Sequence, residues 1–124
     1  MRELSIGSKC FTKVIVIDEP SLQNNACHEY RIETVTKDQD GPQPVAIVAQ
    51  VSFQDGPIKE AGVNGCHHED LLAIVIHRLQ SFQAGEYRCR ENALALTKIE
   101  EAIHWLNHRT NERVKRGVEG TNAK

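Results

Sequence analysis

Arginine is well shaped to hold a phosphate, because its planar guanidinium keeps its charge and presents five N–H donors in a fixed fork. Arg109, Arg113 and Arg116 recur at steps of four and three, so on an α-helix they lie near one another on one face. With Lys115, and against Glu112 alone, they give residues 109–116 a local charge of +3 on a chain whose formal net charge is −2. A basic spot on an acidic body suits a compact anionic ligand, whereas a long polyanion needs a wide basic face. A second reading needs no ligand. Cations near a helix C-terminus complement its dipole, and arginine stems lie along apolar surface. Spacing alone leaves both readings open.

Other reactive residue types form weaker patterns. His104 and His108 stand four apart, a spacing that can chelate a metal from one helix face, and Cys66-His67-His68 and Cys27-His28 add further ligand types. No carboxylate or cysteine pair stands in fixed sequence relation to them, so no metal is expected. The four cysteines, Cys10, Cys27, Cys66 and Cys89, contain no Cys-x-x-Cys pair, and no secretory signal favours their oxidation. Free thiols are expected. Asn64-Gly65 ahead of a helix could offer backbone N–H groups to an anion or simply make the turn, and His67 and His68 fit an N-terminal helix cap. There is no Gly-x-Ser-x-Gly, no P-loop and no Gly-x-Gly-x-x-Gly, so the expectation is a binding protein and not an enzyme.

The elements that must position these groups follow from composition and periodicity. The chain has 124 residues, 40% of them hydrophobic and 26% charged, with four prolines, which is the size and make-up of one globular domain. No apolar run approaches the ~18 residues of a membrane span. The first half reads as β: Lys13–Ile17 is β-branched, Tyr30–Thr36 largely alternates, and Val45, Ile47, Ala49, Val51 and Phe53 keep period two. The last two runs should pair as an antiparallel hairpin across residues 37–44, which contain the turn signal Asp40-Gly41-Pro42. Asp55-Gly56-Pro57 breaks the sheet, and residues 58–66 cross over to a helical regime.

One helix is predicted from Asp70 to Gln83, with Leu72, Val75, Ile76, Leu79 and Phe82 as its stripe and Gly85 as its stop. A second runs from Arg90 to Arg116, with Ala95, Ile99, Ala102, Ile103 and Leu106 inward and Gly117 at its end. The fold class is therefore α+β, a single domain: a small antiparallel sheet over about 1–57, an antiparallel helical hairpin over 66–117, and a tail over 118–124. At 1.5 Å per residue the second helix is about 40 Å long and the first about 22 Å, so the basic turns overhang. An isolated overhang is marginal in water, which calls for cover from the β layer or from a second copy of the chain.

Distance links the aromatic end of the hairpin to the basic end. Phe82 closes one helix and Asn92 opens the next, whereas Arg109 lies 17 residues further on, roughly 25 Å away. No small ligand spans that gap within one chain. Two long helices packed antiparallel would bring Phe82 and Asn92 of one copy to Arg109 and Arg113 of the other, a composite pocket with groups for a base and groups for phosphates. Trp105 and Leu94, off the core stripe, would supply a second apolar strip for that contact, although Trp105 also suits ordinary core packing.

Four stretches carry a resemblance: Val51 to Gly65, Leu71 to Gln83, Arg90 to Leu96, and Arg109-Thr110 with the ending Arg116-Gly117-Val118-Glu119-Gly120-Thr121. In them the chain resembles the phage Thoeris anti-defence sponges, most strongly from about 51 to 121, and its helical half is similar to shorter phage sponges for the cyclic nucleotides of CBASS immunity. The ending is the most specific element, since no packing rule visible in the sequence demands it. The resemblance implies a protein that binds a glycocyclic ADP-ribose signal made by bacterial TIR-domain enzymes and releases it intact. It implies action in the host bacterial cytoplasm during infection, with no cofactor, membrane or DNA partner, and assembly as a homodimer or a homohexamer built as a trimer of dimers.

By the same resemblance Phe82 stacks on adenine with Gln83 beside it, Asn92 bonds polar edges, and Arg109 and Arg113 hold the pyrophosphate with Arg116 close by. A second pocket, for cyclic di- or trinucleotides such as cyclic tri-adenylate, maps to Asn64, Gly65, His67 and His68. The smaller relatives tend to have Thr and Asn where this chain has His67 and His68, which separates it from them at that pocket. The competing reading is a small nucleic-acid-binding phage protein that uses the Arg109–Arg116 stripe.

Overall fold

Val14, Ile15 and Val16 are β-branched, restrict χ1, and suit a pleated surface. They form the end of β2 (Thr12–Val16), and Ile15 and Val16 are buried. The structure, a computed structural model, describes residues 1–8, 10–35 and 45–124. Its sheet runs in the order β1 (Arg2–Glu3), β2, β3 (Glu29–Thr34), β4 (Ile47–Ser52), every pair antiparallel. The three longer strands fall where the apolar runs place them, and β3 and β4 pair antiparallel as expected; β1 has only two residues, too few to show a period. The Asp40-Gly41-Pro42 turn signal, with Thr36 and the rest of 36–44, lies outside the described residues.

Register sorts the side chains. Val14, Ile32 and Ala49 align across the sheet, as do Val16, Tyr30 and Val51, and the Tyr30 and Phe53 rings meet edge to face at 5.6 Å. Between Ile32 and Glu33 the pairing slips, because Ile32 faces Ala49 while Glu33 faces Ile47, leaving Val48 as an extra residue. Such a bulge reverses the alternation. Ile47 therefore joins the face of Lys13 and buried Glu33 and is 50% exposed, so strict period two from Val45 to Phe53 does not describe the strand.

The loop between β2 and β3 is anchored by Asp18. Its carboxylate accepts the His28 N–H at 2.8 Å and the Glu29 N–H at 3.1 Å. These bonds, the one from His28 foremost, hold the Asp18 carboxyl below its ordinary value of 3.8. A depressed carboxylate contributes stability above its unfolded value and loses it as pH falls through the folded one. Unfolding of residues 1–55 should therefore become easier below about pH 4, and an Asp18→Asn variant should flatten that part of the profile. Thermal melts across pH 2–6 measure both.

The chain divides into two compact units, Met1–Asp55 and Gly56–Lys124. The second contains α1 (Ile58–Ala61), α2 (His68–Gln83) and α3 (Arg90–Lys115). The single turn α1 falls where the sequence suggests only a crossover. α2 packs on α3. Along α3 the less exposed positions are Asn92, Leu96, Ile99, Ile103, Leu106, Thr110 and Arg113, alternating steps of four and three; along α2 they include Glu69, Leu72, Ile76, Leu79 and Gln83. That is a heptad seam, narrower than the stripe of a helix packed into a broad core. Leu96 therefore lies on the seam, while Ala95, Ala102 and Val75, all expected inside, are exposed.

Gly117 ends α3 as the sequence suggests. Its φ of +72° is a left-handed conformation that glycine adopts freely, its N–H donates to the Val114 carbonyl at 3.0 Å, and the Val118 N–H donates to the Arg113 carbonyl at 3.1 Å. The two bonds make a Schellman motif and turn residues 118–124 back. The Lys59 N–H then donates to the Gly120 carbonyl at 3.1 Å. Gly120 has φ +79°, and a Cβ there would approach Lys59 Cγ to 3.2 Å. Within this unit the chain's own closing segment folds onto the far end of α3 and covers part of the overhang expected from helix lengths.

Candidate functional site

Arg113 lies on the heptad seam beyond the start of α2 and is 8% exposed. Its Nε–H donates to Glu119 Oε2 at 3.1 Å, Nη2 donates to the carbonyls of Val118 at 3.0 Å and Thr121 at 3.1 Å, and Nη1 donates to the Ala123 carbonyl. Four of its five N–H donors are thus given to one segment of chain. The structure supplies the packing rule that the Arg-Gly-Val-Glu-Gly-Thr ending lacks in sequence: Gly117 and Gly120 make the bends, Thr121 bonds back to Val118, and Glu119 neutralises the buried cation. Arg116 is exposed, and its Nη2 donates to the Lys124 main-chain oxygen.

Arg109 differs. It is exposed, lies on α3 one turn past Trp105, and has no ion pair or hydrogen-bonded side-chain partner among the described residues. Heptad position explains the contrast between two residues four apart. Arg113 falls on the seam, whereas Arg109 falls beside it with Ala95 and Ala102.

At the other end of the hairpin, Phe82 is half-buried in the last turn of α2. The Arg78 guanidinium lies 4.9 Å from the centre of its ring, and Tyr87 stands tilted at 6.0 Å. Arg78 is the cation–π partner that the sequence reading missed, although its i, i+4 spacing to Phe82 was a usable signal. Asn92, in the first turn of α3, is half-buried, and its carboxamide has no hydrogen-bond partner among the described residues.

Gln83, expected in the ligand pocket, is occupied by the connector. Its Oε1 accepts the Cys89 N–H at 3.0 Å and its Nε2 donates to the Cys89 carbonyl at 3.1 Å. Cys89 in turn caps α3, its Sγ accepting the Asn92 N–H at 3.4 Å. The amide of Gln83 therefore fixes the relation of Phe82 to Asn92. Gln83→Ala should cost about 1–2 kcal/mol for the lost pair of bonds and lower the melting midpoint by a few degrees, as read by circular dichroism.

Asn64, Gly65 and His67 lie in the link between α1 and α2, and His68 opens α2. His67 is the N-cap, as expected: its N–H donates to Asp70 Oδ2 at 2.9 Å and its carbonyl accepts the Asp70 N–H at 3.1 Å. His104 and His108 both pack edge-on against Trp105, at 5.7 and 5.9 Å. Among the described residues no three His, Cys, Asp or Glu side chains come together as a metal site. The four cysteines are free, and among the described residues no helix is long and apolar enough to cross a membrane.

A small antiparallel sheet followed by a heptad-packed helical hairpin, with an aromatic–amide corner at one end of the hairpin and cations at the other, defines the class: an α+β protein with a helical-hairpin module. The chain belongs to the Acb2/Tad1 hairpin-domain family, whose model matches residues 46–111. It is 61% identical over 77 residues to "Thoeris anti-defense 1" of Bacillus phage SBSphiJ7, a match that covers 62% of this chain and 54% of the relative. The chain thus spans about half the length of the curated relative it matches. Arg113, Arg116 and the closing segment lie beyond the residues the family model matches.

Proposed function

We propose that this protein is a phage anti-defence sponge, which binds a cyclic ADP-ribose isomer made by TIR-domain enzymes and holds it without degrading it. The relative's name and the hairpin family support the anti-defence part. The observation that carries the ligand is the separation of groups between the connector end of the hairpin and the far end of α3. Phe82 and the Asn92 carboxamide, which has no hydrogen-bond partner among the described residues, suit a purine, exposed Arg109 suits a pyrophosphate, and roughly 25 Å of helix lies between Asn92 and Arg109.

Two copies with their long helices antiparallel close that distance. Leu94 and Trp105 on α3, 52% and 66% exposed, and the Ala95–Ala102 strip beside the seam are available for this contact. The assembly is then a homodimer, or a homohexamer built as a trimer of dimers, acting in the host cytoplasm. In a hexamer the Asn64–His68 link would line a second pocket for a cyclic trinucleotide. No reaction is needed. Sequestration needs slow release, which an enclosing pocket with charge-assisted bonds supplies, and it works by stoichiometry, so nanomolar affinity, about −12 kcal/mol, is required.

The test is direct. The protein is incubated with the TIR-derived signal, depletion is measured in a filtrate, and the retained fraction is heat-denatured. Intact signal in the released fraction supports a sponge; fragments support an enzyme; no depletion overturns both. Solution mass separates dimer from hexamer, and a strict monomer that still depletes the signal overturns the composite pocket.

A further inference from the structure

We infer that Glu119 is a removable counter-ion, resting on the Nε edge of Arg113 until a phosphoryl group takes its place. The inference takes from the proposed function only that a phosphoryl-bearing ligand reaches this end of α3.

The two kinds of partner on Arg113 are unlike. Three donors go to the carbonyls of Val118, Thr121 and Ala123, which are backbone groups held by the Schellman turn at Gly117 and by the Lys59–Gly120 bond. The fourth, Nε–H, goes to the carboxylate of Glu119, whose side chain is 39% exposed. A backbone carbonyl cannot leave without moving the segment, whereas a part-exposed carboxylate can rotate into water and be solvated there. Three neutral carbonyls orient the cation without cancelling its charge; Glu119 cancels it. Exchanging a monoanion for a phosphoryl group keeps the buried guanidinium neutralised, and the desolvation of Arg113 has already been met in folding.

The arrangement also explains why a buried arginine stands in a cationic stretch. Exposed Arg109 and Arg116 flank it on the same helix end and would draw an anion to Glu119's position. Lys115 is paired with Glu112 at 3.6 Å and is not needed for the exchange. Only Glu119 competes with the incoming anion, because it is the only acid bonded to Arg113 among the described residues.

The experiment uses inorganic pyrophosphate as the probe and the Arg113 Nε–H NMR resonance of the full chain as the reporter. In the wild-type protein that resonance should shift on titration, while the backbone amides of Val118 and Thr121 keep their protection. Glu119→Gln, which keeps shape and removes charge, should lower the midpoint about 3–5-fold, the worth of one part-exposed ion pair. An Arg113 resonance that does not move overturns the inference. So does a higher or unchanged midpoint in Glu119→Gln, or loss of protection at Val118 and Thr121 in that variant, which would make Glu119 a structural latch. The two proposals separate cleanly. Pyrophosphate exchange without depletion of the nucleotide signal leaves this inference standing and removes the sponge; depletion with a motionless Arg113 does the reverse.

Discussion

Arg109→Ala should weaken binding of the cyclic ADP-ribose isomer by 100-fold or more, with the melting midpoint and the solution mass unchanged. The Arg109 side chain is exposed and makes no hydrogen bond or ion pair among the described residues, so removing it takes nothing from the fold beyond a helix propensity that alanine matches or improves. Its whole effect falls on the ligand. Two charge-assisted bonds to a pyrophosphate, at about 1.5–3 kcal/mol each, exceed the roughly 2.7 kcal/mol that 100-fold represents. Arg109→Lys keeps the charge but loses the planar fork, and should recover only part of the affinity. Calorimetric titration of both variants beside thermal melts gives the comparison, and an Arg109→Ala protein that binds normally would remove Arg109 from the pocket.

Arg113→Ala should release residues 118–124 from the end of α3 while leaving the α2–α3 seam in place. Four side-chain bonds disappear together, and the acceptors include three carbonyls that close on one cation. Because the freed segment can turn to water, the cost is bounded at about 2–4 kcal/mol of local stability, below that of a charge stranded in a core. Hydrogen exchange reads it directly: the amides of Val118 and Thr121, and of Lys59 bonded to Gly120, should exchange faster, while those in the middle of α2 keep their rates. Arg113→Lys should not restore protection, since an ammonium has three donors and no planar fork. Restored protection would show that charge alone holds the segment. Loss of binding in an Arg113 variant reports on this anchor as well as on any ligand contact, so Arg109 is the cleaner probe of the pocket.

Much of the frame was legible from local pattern. Three β-branched or alternating runs became β2, β3 and β4, the helical stripes became α2 and α3, and Gly117 marked the end of α3. Elements without a period were invisible: β1 is two residues and α1 a single turn. The bulge at Val48, which turns Ile47 to the other face, has no signature in a run of alternating apolar residues. The helical stripe was near but not right, since Leu96 and not Ala95 lies on the seam; a 3.6-residue wheel gives a broad face, and only the partner helix selects the heptad line within it.

What the sequence determined by itself is therefore the inventory: a β half, two helices of unequal length, arginines toward the end of the second helix, and an aromatic and an amide at the hairpin's connector. Tertiary structure decided the employment of each group. Arg109 and Arg113 have the same side chain, four residues apart on one helix, yet one stands open and the other is wrapped by Glu119 and three carbonyls. Gln83, next to Phe82 in sequence, spends both ends of its amide on Cys89. The physical reason is the same in both cases. Periodicity is a local property of the chain, while satisfaction of a buried donor depends on which segment folds back to meet it.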